Sequence, residues 1–246
     1  MNNSKRKLKV LLRKFNINIF RQLPFGLHPF YDIERRKQGF QINVIFDVGA
    51  NIGKSILTAR EVFPKARIYP FEPFKDTYNT LVKNVTSKKV SCYQLALGSE
   101  DKNLQIKVDA LSKKSCMNSL IHDNINDSSL ENIKEETVEI QKLDTFYNIH
   151  KIRSIDYLKI DTEGFDMEVL KGAIEILTEK SVFFIQVEAG MNKFNDRHIS
   201  FTEIDSFLKP VGYELFGFYN QAHEKSMKNL MLRRVDVVYV LRDRMN

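Results

Sequence analysis

The stretch VIFDVGANIGKSI, residues 44–56, decides the fold of this chain. The apolar run before Asp47 is typical of a short strand buried in a parallel sheet. Gly49 and Gly53 then bracket a tight turn, and a helix is predicted from Lys54 onward. This order predicts one unit of an open α/β sheet. Its turn lies at the carboxyl end of the strand, where such sheets bind ligands.

Strands and helices alternate along the rest of the chain. Further strands are predicted at residues 66–72, 90–97, 155–161, 181–188, 213–220 and 235–243. The last two follow each other with only a polar loop between them. We therefore predict a doubly wound, mostly parallel seven-stranded α/β sheet with an antiparallel edge strand.

An N-terminal basic arm and cap, residues 1–40, precedes the main domain at residues 41–246. Residues 1–14 hold six basic side chains and no acidic one, and they account for most of the net charge of +7. An amphipathic helix is predicted there from the spacing of the apolar residues Leu8, Leu11, Leu12 and Phe15. Two interpretations are open. The helix lies on the domain with a solvated basic face, or it contacts a membrane surface or an anionic substrate.

The composition also limits partners and location. Because the basic charge is concentrated in the arm, we predict no broad nucleic-acid-binding face and do not expect DNA as a partner. Two cysteines in 246 residues do not make a disulfide framework. We find no apolar stretch long enough to span a bilayer and no signal peptide. The expected location is cytoplasmic, with at most peripheral membrane contact through residues 1–15.

The glycine turn predicts a ligand with an adenosine group. Glu72 lies 19 residues after Gly53, at the end of the second strand, and an acid at that place typically binds ribose hydroxyls. The spacing G-x-N-x-G, with Asn51 in the middle, departs from the dinucleotide pattern, and Asp47 disfavours a pyrophosphate. S-adenosylmethionine carries a sulfonium and an ammonium group, and both favour a nearby carboxylate. It is therefore the predicted cofactor.

With these residues in view, the chain resembles the FkbM family of S-adenosylmethionine-dependent methyltransferases. The resemblance runs from about residue 44 to residue 188, through FDVGANIG, FEPF, LALGSED, NSL, LDTF and LKIDTEGFDMEVLKG. It implies a class I methyltransferase (Rossmann-like) fold with an N-terminal helical extension. The cofactor contacts that it implies are Asp47, Gly49, Ala50, Asn51, Gly53, Glu72, Pro73, Ala96, Ser119 and Asp161.

Three carboxylates are predicted near the site of methyl transfer, since they follow neighbouring strands. Asp161 and Glu163 lie in KIDTEGFD, and Glu188 lies in IQVEAG. Each is a candidate for the general base that helps a weakly nucleophilic hydroxyl to react. Asp161 is also a candidate to hold the cofactor's ammonium group or to cap a helix. The ligand spacing is not tight, so we assign no metal site.

The predicted function is O-methylation of a saccharide or a related hydroxylated metabolite, as in polysaccharide biosynthesis. A phosphate-bearing or lipid-linked acceptor would suit the basic arm. The segment DTEG at residues 161–164 lacks the Asn- or Asp-Pro-Pro-aromatic tetrad that base-methylating enzymes often carry. Two alternatives stay open: an RNA methyltransferase that uses the arm on phosphates, and a non-catalytic module that binds an adenosine ligand. The acceptor's identity and the oligomeric state are left open.

Overall fold

A computed structural model describes residues 23–36, 39–109, 133–224 and 230–242. The predicted helix of the arm and Ser119 therefore lie outside the described residues. In the part of the chain that is described, no helix is both long and apolar enough to cross a bilayer.

Helices and strands alternate through the main domain. The helices are α1 (Pro29–Arg36), α2 (Lys54–Val62), α3 (Lys75–Asn84), α4 (Leu143–Ile149), α5 (Asp166–Lys171), α6 (Ile174–Thr178) and α7 (Phe201–Leu208), and a 3₁₀ turn spans Lys209–Val211. The strands are β1 (Val44–Val48), β2 (Arg67–Phe71), β3 (Ala96–Gly98), β4 (Lys102–Asp109), β5 (Ile133–Lys142), β6 (Ile155–Ile160), β7 (Val182–Gly190), β8 (Tyr213–His223) and β9 (Leu232–Leu241).

The central sheet has six strands in the order β2-β1-β6-β7-β9-β8. The pairs β1–β2, β1–β6 and β6–β7 are parallel, as the uniformly apolar strands predicted. Val48 at the end of β1 pairs with Phe71 on one side and with Ile160 on the other. The carboxyl ends of β1, β2 and β6 therefore meet at one edge, which positions the loops of the site.

The predicted count of seven strands is not confirmed. The stretch at 90–97 divides, because its first part lies beside β2 and its last part joins another sheet. Val90 and Tyr93 form only isolated parallel bridges to β2. Ala96–Gly98 is β3 of a separate three-stranded sheet, in the order β3-β5-β4. The segment at 90–93 thus occupies the seventh position without forming a regular strand.

The prediction of an antiparallel edge strand is wrong about its place. The antiparallel strand is β9, and it lies between β7 and β8 rather than at the edge. The reason is burial: residues 235–241 of β9 are all buried, whereas β8 is largely exposed or half-buried. The more apolar strand takes the interior position because burying it removes more apolar surface from water.

Helix α1 packs on the face of the sheet under β6. The ring of Phe30 meets Tyr157 edge-on at 5.0 Å and Phe63 at 5.6 Å. These three side chains are buried, and the contact ties the segment before the main domain to the core.

Candidate active site

A cleft opens at the carboxyl ends of β1, β2 and β6. Its empty space, with the open mouth included, is about 700 Å³. The lining residues are Val48, Gly49, Asn51, Glu72, Pro73, Phe74, Leu95, Ala96, Leu97, Asp161, Thr162, Glu163 and Phe165. Apolar and aromatic groups gather on the β2–β3 side, and acidic groups follow β6.

The turn after β1 is held against the neighbouring strands by its backbone. The amides of Gly49 and Ala50 both donate to the carbonyl of Phe71, at 3.0 and 2.9 Å. Gly49 has φ +76°, and a Cβ there would lie 2.0 Å from the carbonyl oxygen of Asp161. Only glycine allows so close an approach of two backbones. Asn51 is left-handed with φ 50°, a conformation that asparagine adopts more readily than most other residues.

Gly53 directly precedes α2 and lies against α3. A Cβ at Gly53 would meet the side chain of Leu81 on α3 at 2.9 Å and that of Val85, just after α3, at 2.4 Å. The glycine therefore lets the turn pack against α3.

Glu72 is buried at the end of β2 and fastens the turn. Its Oε2 accepts from the amide of Asn51 at 3.0 Å, and its Oε1 accepts from the amide of Phe74 at 3.1 Å. Burial raises the pKa of Glu72 to about 7, although the two amide hydrogen bonds oppose this shift. The carboxyl group lines the cleft, and each of its oxygens can accept a further hydrogen bond.

Asp47 does not line the cleft, contrary to the role predicted for its carboxylate. Its buried side chain accepts from the Ser55 hydroxyl and lies 3.3 Å from Lys159 Nζ. The pleat of β1 turns Asp47 to the sheet face opposite to that of Val48, which does line the cleft. Lys159 already balances the negative charge that was expected to attract the cofactor.

Asp161 follows β6 and reaches the cleft, with 41% of its side chain exposed. Its Oδ2 accepts from Lys159 Nζ at 2.9 Å. Burial alone would lower the pKa of Lys159, but the carboxylates of Asp161 and Asp47 raise it above its ordinary value. Desolvation raises the pKa of Asp161, and the Lys159 ammonium outweighs this effect, so the pKa is lowered. Asp161 therefore faces the cleft as a carboxylate.

The loop after Asp161 is shaped by a buried acid. Asp166 accepts from the amides of Thr162 and Gly164, both at 3.1 Å. Burial raises the pKa of Asp166 to about 6. Glu163 takes a left-handed conformation with φ 53°, uncommon for a residue with a side chain. Among the described residues, the buried Thr162 Oγ1 has no hydrogen-bond partner, and Thr162 lines the cleft.

Glu163, Glu188 and His198 come together beside the acidic end of the cleft. One ligand atom from each lies within 4.8 Å of the others. Glu188 is buried at the end of β7. Its Oε2 lies 2.6 Å from His198 Nε2, and its Oε1 contacts the guanidinium of Arg234. Glu188 does not line the cleft. Because both of its oxygens are engaged, the geometry does not favour it as a proton acceptor.

Asn195 fixes the imidazole of His198 from the other side. His198 Nδ1 lies 2.8 Å from Asn195 Oδ1. The same oxygen accepts from the amide of Arg197 at 3.2 Å, and Asn195 Nδ2 donates to the carbonyl of Arg233 at 2.8 Å. Burial lowers the pKa of His198 below its ordinary value, while the carboxylates of Glu163 and Asp166 oppose the shift.

Most of the predicted site residues therefore meet in one place. Seven line the cleft: Gly49, Asn51, Glu72, Pro73, Ala96, Asp161 and Glu163. Ala50 and Gly53 shape the turn, and Asp47 and Glu188 lie off the cleft. The prediction missed Lys159 and Thr162. A lysine inside the apolar strand IDYLKI was a usable signal, since a buried ammonium group needs carboxylate partners.

The chain is similar in sequence to a family model and to curated proteins. Residues 47–215 match the family model described as the Methyltransferase FkbM domain. Methyltransferase 1 of Beauveria bassiana is 28% identical over 142 residues, which cover 52% of this chain and 57% of that protein. Hexuronic acid methyltransferase AglP of Haloferax volcanii is 25% identical over 153 residues, which cover 61% of this chain and 58% of that protein.

A solved structure was also found to be similar. The S-adenosylmethionine-dependent methyltransferase of Anabaena variabilis has a TM-score of 0.49 and 12% identity, over 98% of this chain and 96% of that one. The chain spans less than two thirds of the length of the two curated relatives. The family match includes the glycine turn, Glu72 and the acidic loop after β6. The resemblance seen in the sequence is confirmed, and the chain belongs to the FkbM methyltransferase family.

Proposed function

We propose that this chain is an S-adenosylmethionine-dependent O-methyltransferase that acts on a hydroxyl of a saccharide or a related hydroxylated metabolite. One observation carries the proposal. A glycine turn fixed to a buried carboxyl group, Glu72, shares one cleft with two acidic residues, Asp161 and Glu163. The first feature suits an adenosine ligand, and the second suits proton transfer from a hydroxyl.

Glu72 would hold the ribose of the cofactor in this proposal. Its two oxygens each retain acceptor capacity after the bonds to Asn51 and Phe74. The apolar wall made by Phe74, Leu95 and Ala96 would enclose the adenine ring. The cofactor would then extend across Gly49, where the absence of a side chain keeps the floor of the cleft open.

The methionine end of the cofactor would lie near the loop after β6. Asp161 offers a carboxylate there, which suits the ammonium group. Thr162 Oγ1, which has no partner within the described part of the chain, could accept or donate a hydrogen bond. Asp47 would act indirectly, because its carboxylate keeps Lys159 in position.

Methyl transfer from a sulfonium is an in-line displacement: the acceptor oxygen bonds to the methyl carbon as the carbon–sulfur bond breaks. Holding these three atoms in line supplies much of the acceleration. The hydroxyl proton must pass to a base, and Glu163 lines the cleft beyond Asp161. Glu163 is thus the better candidate for the base, and Asp161 combines cofactor binding with proton transfer.

The acceptor class rests on chemistry and on one relative. The cleft's acidic end suits a hydroxyl that must lose a proton, and one curated relative is named a hexuronic acid methyltransferase. For this chain we propose only the broader acceptor class, a saccharide or a similar hydroxylated compound. A phosphate-bearing or lipid-linked acceptor remains part of the proposal through the basic residues 1–14.

Binding and turnover can be tested in one experiment. S-adenosylmethionine affinity is measured by calorimetry for the wild type, Glu72→Ala and the control Glu179→Ala, which removes an exposed carboxylate. Transfer of a labelled methyl group is then measured with hexuronic acids, neutral sugars and an RNA transcript. We expect Glu72→Ala to weaken S-adenosylmethionine binding by roughly 1–3 kcal/mol. We expect the wild type to transfer the methyl group to a saccharide. Methylation of RNA alone would replace the proposal, and cofactor binding without any transfer would support a non-catalytic module.

A further inference from the structure

Three potential metal ligands converge beside the acidic end of the cleft. Glu163 comes from the loop after β6, Glu188 from the end of β7, and His198 from the loop before α7. Glu188 and His198 are buried, whereas Glu163 is half-buried and lines the cleft. Three ligands on one side and an opening on the other are the layout of a metal centre that keeps positions for a substrate.

The contact between His198 and Glu188 calls for a positive charge. Asn195 Oδ1 lies 2.8 Å from His198 Nδ1. The orientation of the Asn195 amide is set by two backbone groups, since Nδ2 donates to Arg233 and Oδ1 accepts from Arg197. Nδ1 must therefore carry the proton, and in the neutral ring Nε2 presents a lone pair.

That lone pair lies 2.6 Å from the Glu188 Oε2. Two lone pairs at this distance repel each other unless a proton or a metal ion lies between them. The cation is either a second ring proton or a metal ion. An asparagine that holds the far nitrogen of a histidine is also the outer contact that orients metal-bound imidazoles.

We infer that Glu163, Glu188 and His198 bind one divalent transition-metal ion, with Asn195 as a positioning residue. Two carboxylates and one imidazole suit Mn²⁺ or a similar ion better than Mg²⁺, which prefers oxygen ligands alone. The guanidinium groups of Arg234 and Arg197, which lie beside the cluster, are compatible with these three ligands. Arg234 contacts Oε1 of Glu188, leaving Oε2 toward the histidine, and Arg197 lies 3.8 Å from Glu163 Oε2.

The site would add to the proposed methyl transfer and rests on it for its role. An ion held by Glu163 at the cleft would bind the acceptor oxygen and stabilise its deprotonated form, and the hydroxyl proton would pass to the carboxylate of Asp161, which also lines the cleft. The two arginines beside it would favour an acceptor with a second anionic group, such as a carboxylate next to the reacting hydroxyl. The assignment of no metal site from the sequence would then be wrong, because three positions distant in the chain meet only in the fold.

Metal binding is tested on the full chain without any methyl donor, so its outcome does not depend on the methyl-transfer proposal. The protein is treated with a chelator, and Mn²⁺ is titrated while free Mn²⁺ is followed by electron paramagnetic resonance. We expect one site per chain. Glu163→Gln and His198→Gln should weaken it at least tenfold, and Asn195→Ala by about 10–100-fold.

Controls separate loss of ligands from loss of fold. Glu179→Gln and His223→Gln remove an exposed carboxylate and an exposed imidazole away from the cluster, and both should keep wild-type Mn²⁺ affinity. The S-adenosylmethionine affinity of each variant reports whether the cleft is intact. If the wild type shows no saturable Mn²⁺ binding, or if the cluster variants bind as well as the controls, the inference is overturned. His198 would then be an imidazolium paired with Glu188.

Discussion

Lys159 Nζ lies 2.9 Å from Oδ2 of Asp161, a residue that lines the cleft. The same ammonium group lies 3.3 Å from the buried Asp47 Oδ1. Only 12% of the lysine side chain is exposed, so this pair of contacts is largely shielded from water. One lysine thus connects the acid that opens the glycine turn to the acid that follows β6.

Removing this lysine should destabilise the fold. Lys159→Met leaves Asp47 buried without its cation, and breaking a buried pair on one side costs about 3–5 kcal/mol. Lys171→Met is the matched control, because Lys171 pairs with Glu168 at an exposed position, where such a pair contributes less than about 0.5 kcal/mol. Urea unfolding measures both. Equal losses for the two variants would contradict the account of Asp47 and Lys159.

Gly49 should be required for close backbone packing rather than only for its conformation. Gly26 has a similar φ of +86°, but nothing lies within 4 Å of a Cβ placed there. Gly26→Ala should therefore cost only the left-handed strain, about 1–2 kcal/mol. Gly49→Ala carries the same strain and also forces the Asp161 carbonyl away.

The measurements for the two glycine variants are urea unfolding and S-adenosylmethionine affinity. Gly49→Ala should lose more stability than Gly26→Ala, and it should lose cofactor binding as well, because the cleft floor moves. A Gly49→Ala variant that binds the cofactor as the wild type does would show that the turn does not form the cofactor site.

The sequence predicted those parts of the site that depend on local geometry. The strand that contains Asp47 and the helix that begins at Lys54 follow from short-range chemistry, and the structure confirms both. The side-chain partner of Asp47 could not be predicted in this way. Lys159 lies on the neighbouring strand β6. It meets Asp47 only because the parallel register of β1 and β6 places the two residues opposite each other.

Long-range arrangement explains the remaining differences. The interior position of β9 depends on how much of its surface the finished sheet buries, and no local pattern gives that order. Glu163 and His198 meet because Asn195 folds the loop before α7 toward the start of β9. Such contacts appear only when the whole sheet is assembled.

Glu72 should make stability depend on pH. Burial raises its pKa from 4.5 to about 7, so the folded chain binds more protons than the unfolded chain between these values. The free energy of unfolding therefore falls as pH rises from about 4.5 to about 7, by about 3 kcal/mol from this group. In Glu72→Gln this contribution is absent.

The measurement is the difference in unfolding free energy between wild type and Glu72→Gln at several pH values. Other titrating groups are common to both proteins and cancel. The wild type should lose stability relative to the variant as pH rises, and a parallel series on Glu179→Gln controls for removal of a carboxyl group as such. A constant difference across this range would refute the buried, protonated state of Glu72.

The two acids after β6 should differ in what they do. Asp161 is held by Lys159 beside the cleft floor, so Asp161→Asn should weaken S-adenosylmethionine binding and also lower turnover. Glu163 lies farther along the same loop. Glu163→Gln should leave cofactor affinity near the wild-type value and lower turnover by about 10²–10⁴, whether the side chain takes the proton itself or holds an ion that stabilises the deprotonated acceptor oxygen. Calorimetry and labelled methyl transfer measure the two effects, with Asp76→Asn, which changes an exposed acid on α3, as control.

Added Mn²⁺ then separates the two roles of Glu163. Turnover of Glu163→Gln should be partly restored by a higher Mn²⁺ concentration if Glu163 is a metal ligand, and should not be restored if Glu163 is the proton acceptor. If both variants keep wild-type turnover on the true acceptor, neither acid takes part in the chemistry.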